Sequence, residues 1–312
     1  MALSRAKREK LKAAVNFMGA SGSAKTFSSL LFAKGIIDGM FPDMEEADKW
    51  GKIGIIDTEH RRSLLYAERE KEGYYIGSFW HYPIEKDFSP KRYVQAIKEL
   101  KEVNVEVIII DSMSHAWNRE GGILTKQQEF GGTFQDWAKV RPYEWELWQE
   151  IFERNDVHFI TTMRTKQEYA MSPTDSGKWE VQKLGIKSIQ NDQLEYEYMV
   201  NFRTEMNHKV WASKDNLGLY EHRGQFYITP EDGLALYNDI EQGIDMREKM
   251  EEDRKALVQF IHTLAEDSPI AKKELTLWEK KAKTSVDKMN YDQVRFVQRK
   301  MEDAVSNEES LE

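Results

Sequence analysis

Along the first 240 residues, short apolar runs alternate with amphipathic stretches. The runs at 13–18, 52–57, 105–111 and 157–162 are rich in Val, Ile, Phe and Ala, which predicts buried β-strands. Between them, 26–39, 63–71, 90–103 and 143–155 repeat their apolar positions at helical spacing and predict helices. Strands and helices alternating in this way predict βαβ units, hence an α/β fold with a mostly parallel twisted sheet flanked by helices. After residue 180 the runs shorten, at 197–202, 209–213 and 225–228, which suits a mixed or antiparallel sheet edge. From Gly243 onward, Met246, Met250, Leu257, Phe260, Ile261 and Leu264 recur at roughly helical spacing in a charged background. Ser268-Pro269 breaks that pattern, and a second helical stretch ends near Asp303. The expected division is a core over 1–240 and a small α-helical region over 241–312, which closes on the acidic run Asn307-Glu308-Glu309-Ser310-Leu311-Glu312. Two stretches, 118–136 and 167–188, read as long loops, and loops of that length are usually functional or disordered.

Composition narrows the function classes. A chain of 312 residues that is 40% hydrophobic and 12% aromatic buries a sizeable core. It has no cysteine, so disulfides and thiolate metal sites are excluded. A net charge of −9 argues against a surface that grips nucleic acid all over, but leaves room for a local basic groove. The basic N-terminus, Met1 to Arg8, is not followed by an apolar segment, and no apolar run approaches the ~18 residues of a membrane span. The expectation is a cytoplasmic protein with no membrane partner. The seven histidines are scattered without metal-ligand spacing, and Ser112 and Ser114 beside His115 lack the G-x-S-x-G of a nucleophile elbow.

The chemistry-bearing segment lies between the first strand and the first helix: Gly19-Ala20-Ser21-Gly22-Ser23-Ala24-Lys25-Thr26. Strand, glycine-containing loop, Lys-Thr and helix is the order of a phosphate-binding loop. Its backbone N–H groups wrap a β-phosphate and the helix N-terminus adds its positive end. Lys25 then reaches the β- and γ-phosphates, and the Thr26 hydroxyl holds Mg²⁺. Ala24 stands where G-x-x-x-x-G-K-[ST] has its second glycine, and a Cβ there is expected to crowd the loop. The strand Val107-Ile108-Ile109-Ile110-Asp111 ends in the acid expected to hold Mg²⁺, directly or through its water.

Lys52-Ile53-Gly54-Ile55-Ile56-Asp57-Thr58-Glu59-His60 is a second strand ending in acids. Here the chain resembles the RecA/KaiC-type P-loop ATPases, in which the strand after the P-loop helix ends in an acid-rich turn. The resemblance implies ATP as substrate and Glu59 as the residue that polarises the attacking water; read on its own, Glu59 is a turn acid beside Arg61 and Arg62. It also implies a γ-phosphate sensor at the end of the fourth strand, where Thr162 matches, with Arg164 or Lys166 facing the nucleotide or the loop beyond. Ser213-Lys214-Asp215-Asn216-Leu217-Gly218 resembles the Lys-x-Arg-x-Gly segment that reaches a neighbouring subunit's nucleotide in RecA-like hexamers. Lys214 and Gly218 match, while Asn216 replaces the Arg, so that Lys214 acts alone, Arg223 serves instead, or turnover is slow. With 183–198, these motifs resemble phage AAA-domain ATPases related to Sak-type single-strand annealing proteins, over about residues 13 to 240.

The resemblance implies ATP-linked handling of single-stranded DNA in replication and recombination, by a homo-oligomeric ring or filament, with a single-strand-binding or other replication protein as a further partner. It places DNA on the loops 112–140 and 163–190. The second offers Arg164, Lys166, Lys178, Trp179 and Lys183, cations for phosphates and a ring for bases. A function of another class fits Ala24 and Asn216: a nucleotide-binding interaction protein with little turnover, recruiting partners through its C-terminal helices and acidic tail.

Overall fold

A computed structural model describes residues 5–173 and 179–309. In chain order its first unit contains β1 (Ala14–Gly19), α1 (Lys25–Met40), α2 (Glu46–Trp50), β2 (Ile53–Asp57), β3 (Arg69–Lys71), β4 (Tyr74–Ile76), β5 (Trp80–Pro83), α3 (Pro90–Glu102) and β6 (Val107–Asp111). There follow α4 (Met113–Asn118), α5 (Ile123–Glu129), α6 (Trp137–Trp148), β7 (His158–Pro173), β8 (Trp179–Ser188), α7 (Leu194–Glu197), β9 (Val200–Thr204), β10 (Val210–Asp215) and α8 (Pro230–Ile240). The main sheet runs β10-β9-β1-β7-β6-β2-β5, with β8 paired to β7 off that path. All neighbours along the path are parallel except β10 on β9. The protein is therefore an α/β fold with a mostly parallel mixed sheet flanked by helices, as the alternating runs predict.

Period-two alternation assigns each strand residue to one of two apolar layers. On β1, Val15 and Phe17 join Leu30, Phe32 and Ile36 of α1 and Leu236 and Ile240 of α8, while Ala14 and Met18 join Tyr93, Val94 and Ile97 of α3 and Leu147 of α6. Helices α1 and α8 approach so closely that glycine is required at their contact. A Cβ on Gly35 would lie 1.7 Å from the Pro230 carbonyl oxygen, and one on Gly233 would lie 2.0 Å from that of Phe32. Gly35→Ala is expected to destabilise the protein by about 3 kcal/mol, the upper end of the usual overpacking range. Urea unfolding checks this, as a lowered midpoint at unchanged slope.

Several sequence expectations are corrected here. The helix expected at 63–71 is a single 3₁₀ turn, Arg62–Leu65, followed by the hairpin of β3 and β4. Left-handed backbone at Glu68 interrupts the expected helix, and Glu72-Gly73, both at positive φ, form the two-residue hairpin turn. The expected loop at 118–136 is largely helical, with α5 and the capped turn Phe134–Asp136 joined by bends at Gly121, Gly131 and Gly132. The helix expected at 143–155 begins earlier, at Trp137, and gives way to a π-helical turn at Gln149–Glu153. The expected loop at 167–188 is a β-hairpin: β7 continues past the sheet and pairs with β8 from Thr165↔Ser188 to Pro173↔Trp179. The strand expected at 225–228 is reduced to a bridge of Phe226 with Val210, and 194–197 is the helix α7. Strand β5 and helix α8 were not expected, although Thr229, Pro230 and Asp232 mark the start of α8 with a capping box.

The second unit comprises 242–309 together with 5–10, whose backbone bridges Glu9 to Ile244. The N-terminal residues thus cluster with the C-terminal ones. This unit has three helices rather than the two expected: α9 (Met246–Asp267), α10 (Pro269–Ala282) and α11 (Tyr291–Glu309). Ser268 caps α10 with Pro269 at its first position, and left-handed Lys283 ends it. Ile261, Leu275, Val294, Val297 and Met301 form its core. Among the described residues no helix is long and apolar enough to cross a membrane.

Candidate functional site

The connection from β1 leads through α1 to β2 on one side of the sheet, whereas β7 leads to β9 on the other. Adjacent strands diverging in this way open a crevice at their carboxyl ends, the usual ligand position in open α/β sheets. Gly19, Asp57, Asp111 and Thr162 all stand at that edge. Gly19 is level with Arg164 across β1 and β7, and Asp57 is level with Asp111 across β2 and β6.

The loop between β1 and α1 is fixed by sterics at its start. A Cβ on Gly19 would lie 2.1 Å from Thr204 Oγ1 and 2.6 Å from the Thr204 carbonyl oxygen, so only glycine fits. The Ser23 hydroxyl ties the loop down, bonding Thr204 Oγ1 at 2.6 Å and donating to the Ala20 carbonyl at 2.9 Å. Gly22 takes φ +85°. Ala24 caps α1 with φ 62° and ψ 22°, which revises the expected reason for a glycine there. Left-handed backbone sets the preference rather than crowding by the methyl, which is partly buried against the apolar layer. An L-residue in that conformation costs roughly 1–2 kcal/mol. No side chain caps α1 and no acid lies in its first turn, so its leading amides stay available to an anion.

Lys25 folds back over this loop, its ammonium donating to the carbonyls of Gly19 at 3.0 Å and Ala20 at 2.7 Å. Burial holds its pKa below the ordinary value, against the raising effect of Asp111 and Glu59. Thr26 Oγ1 donates to Asp111 Oδ2 at 2.5 Å, and Thr162 Oγ1 donates to Oδ1 at 2.5 Å. Burial pushes the Asp111 carboxyl up, and the two hydroxyls oppose it. Among the described residues no cluster of three or more His, Cys, Asp or Glu forms a metal cage. A hydroxyl beside a carboxylate nevertheless suits Mg²⁺, which takes few protein oxygens and fills its sphere with water and substrate phosphate.

Glu59 is positioned by the turn that follows β2. The Asp57 carboxylate accepts from the Glu59 amide at 2.7 Å, and from the amide and hydroxyl of Ser63 at 2.9 and 2.5 Å. Burial acts to raise the Asp57 pKa, but His81, Ser63 and the Glu59 amide outweigh it and hold the group at about 2. The half-buried Glu59 carboxylate meets Arg164 as a two-pronged pair: Nε donates to Oε1 at 2.7 Å and Nη2 to Oε2. Burial would raise the Glu59 pKa, yet Arg164, His115 and Lys25 bring it below the ordinary value. His115 Nε2 lies 3.7 Å from Glu59 Oε1, and its Nδ1 lies 2.7 Å from Thr58 Oγ1.

The structure therefore brings together Gly19, Ser23, Ala24, Lys25, Thr26, Glu59, Asp111 and Thr162 of the residues singled out by sequence; Ala20, Ser21 and Gly22 belong to the same loop. Lys214 is not among them. It pairs with Asn201 across β9 and β10, three positions from Thr204, the neighbour of Gly19, and thus toward the opposite end of the sheet. Its ammonium donates to the Tyr196 and Tyr198 carbonyls at the end of α7, an internal structural role. Of the residues expected on DNA, Arg164 is turned to Glu59, and Lys166 is exposed where β7 leaves the sheet. Lys178 lies outside the described residues. Trp179 and Lys183 lie on β8, opposite Pro173 and Tyr169, and their side chains are likewise outside the described residues.

The Arg164–Glu59 pair and the Thr58–His115 contact were missed by sequence reasoning, because their partners are 105 and 57 positions apart and no motif spans them. No family model matches the chain, and no curated protein matches it.

Proposed function

We propose that this chain is a RecA-like P-loop ATPase that binds ATP with Mg²⁺ and couples its hydrolysis to single-stranded DNA. The observation that carries the reading is the convergence of Lys25 and Thr26 from the start of α1, Glu59 from the turn after β2, Asp111 from the end of β6 and Thr162 from β7 onto one carboxyl edge beside an uncapped helix N-terminus. Thr26 and Asp111 would hold Mg²⁺, which when bound neutralises phosphate charge. The loop amides and Lys25 bind the β- and γ-phosphates, Lys25 exchanging two neutral carbonyls for anionic oxygens. Thr162 reports on the γ-phosphate through Asp111. Glu59 orients a water in line with the γ-phosphorus; a bond forms from water oxygen to phosphorus while the bond to the β–γ bridging oxygen breaks, its electron pair leaving with ADP. The water proton passes to Glu59 or to phosphate. Positioning and charge supply the acceleration.

The DNA element rests on family resemblance and on one feature of the site: the arginine that holds Glu59 stands at the root of the β7–β8 hairpin. Lys214 would serve a neighbouring subunit's nucleotide in a ring or filament after leaving its carbonyl partners. A second reading is favoured by the pairing of Glu59 with Arg164. With both carboxylate oxygens accepting from a guanidinium, the chain would bind ATP, turn over poorly and act as a nucleotide-gated interaction protein.

The deciding experiment is steady-state ATP hydrolysis by the full chain with Mg²⁺, with and without single-stranded DNA. Turnover raised by DNA supports the ATPase reading. Tight ATP binding with negligible turnover, indifferent to DNA, selects the second, and absence of ATP binding overturns both.

A further inference from the structure

We infer that His115 is a positioning residue for Glu59, donating a hydrogen bond from Nε2 to the carboxylate when Arg164 lets it go. The inference rests on the reading of Glu59 as the water-orienting acid and adds to it the group that holds that acid in its working direction.

The hydrogen bonds of Thr58 accommodate either tautomer, and the Glu59 carboxylate near Nε2 selects between them. The Ser112 amide donates to Thr58 Oγ1 at 2.8 Å, which uses one acceptor position of that hydroxyl. Its own proton has three acceptors in reach: His115 Nδ1 at 2.7 Å, the Asp111 carbonyl at 3.1 Å and the Ser112 carbonyl at 3.4 Å. If His115 Nδ1 carried the proton, Nε2 would present a lone pair to the Glu59 carboxylate 3.7 Å away, an unfavourable meeting of two acceptors in a buried place. If Thr58 donates to Nδ1, Nε2 carries the proton and faces an acceptor. The ring is 1% exposed and its Nε2 has no hydrogen-bond partner, so this buried donor lacks only a small shift of Glu59 to be satisfied. Phe88 packs edge-on to the ring with centroids 5.5 Å apart, which limits its rotation.

A neutral donor suits the task better than Arg164. A guanidinium occupies both carboxylate oxygens and lowers their basicity, whereas an imidazole N–H fixes one oxygen and leaves the charge in place for water. Thr58 fastens the imidazole to the backbone at the end of β6, one residue beyond Asp111. The acid and the Mg²⁺-side carboxylate are thereby referenced to the same strand end.

Two substitutions separate the contacts. In His115→Gln the amide nitrogen reaches the position of Nε2 and keeps a donor for Glu59. In His115→Asn the side chain reaches only toward Thr58. The expected result is a kcat lowered roughly 10- to 100-fold in His115→Asn at unchanged KM for ATP, and largely recovered in His115→Gln. Equal retention of kcat in both, or equal loss with KM shifted, overturns the inference. Nitrogen-15 NMR of the histidine rings in the unmodified full chain gives a reading that does not depend on activity. The Nε2–H tautomer is expected at His115, and the Nδ1–H tautomer overturns the proposal. If the unmodified chain releases no phosphate from ATP, the ATPase reading itself fails and the inference falls with it. If that chain turns over, Glu59→Gln does not and His115→Asn does, the inference fails alone.

Discussion

Glu59→Gln is expected to cut ATP turnover by roughly 10²- to 10⁴-fold, the range for removing a general base, while ATP affinity stays unchanged. Glutamine keeps the shape and one acceptor oxygen, so the turn held by Asp57 and the packing around His115 survive. What is lost is the negative charge that draws a proton from the attacking water. The phosphate contacts come from the loop at 19–26, on which Glu59 acts only through space by its charge on Lys25, so the change falls mainly on kcat rather than on binding. Single-turnover phosphate release beside equilibrium ATP binding separates the two. A turn acid with no catalytic part would leave both unaltered.

Lys25→Met is expected to weaken ATP binding by roughly 10²-fold, the equivalent of losing a charge-assisted hydrogen bond or two. The Lys25 ammonium rests on the neutral carbonyls of Gly19 and Ala20, and burial disfavours its charge. A phosphate brought to the loop offers that charge an anionic partner in the same place, so binding offsets the cost of burying it. Methionine has nearly the same length and no charge, and the fold around it should persist because Gly19, Ser23 and Thr204 fix the loop independently. Titration calorimetry with ATP and Mg²⁺ measures the loss directly.

Much of the core was readable from sequence because its signals are local. The strands at β1, β2, β6 and β7 are short apolar runs, and the 19–26 segment states its own strand-loop-helix context. The acids Asp57, Glu59 and Asp111 follow from being at strand ends. Elements whose cause is not local were missed. Strand β5 is short, half-exposed and next to β2; helix α8 was missed as well, although the capping box of Thr229 and Asp232 marks its start. Positive φ at Glu68, which breaks the helix expected at 63–71, leaves no mark on a residue that rarely adopts it. The stretch 167–188 was read as a loop because its polar and charged residues hide the alternation of strands, whereas the apolar start of β7 was read as a strand. In the site, Arg164 and His115 reach Glu59 only through the folded sheet, so neither could be assigned to it from spacing.

Release of inorganic phosphate from ATP by the full chain in Mg²⁺, measured for the unmodified protein beside Lys25→Met and Glu59→Gln, tests the central claim most directly. The account predicts release by the unmodified chain and its near-complete loss in both variants, with ATP still bound by Glu59→Gln. Equal release by all three proteins, or binding of ATP that Lys25→Met leaves intact, would contradict it.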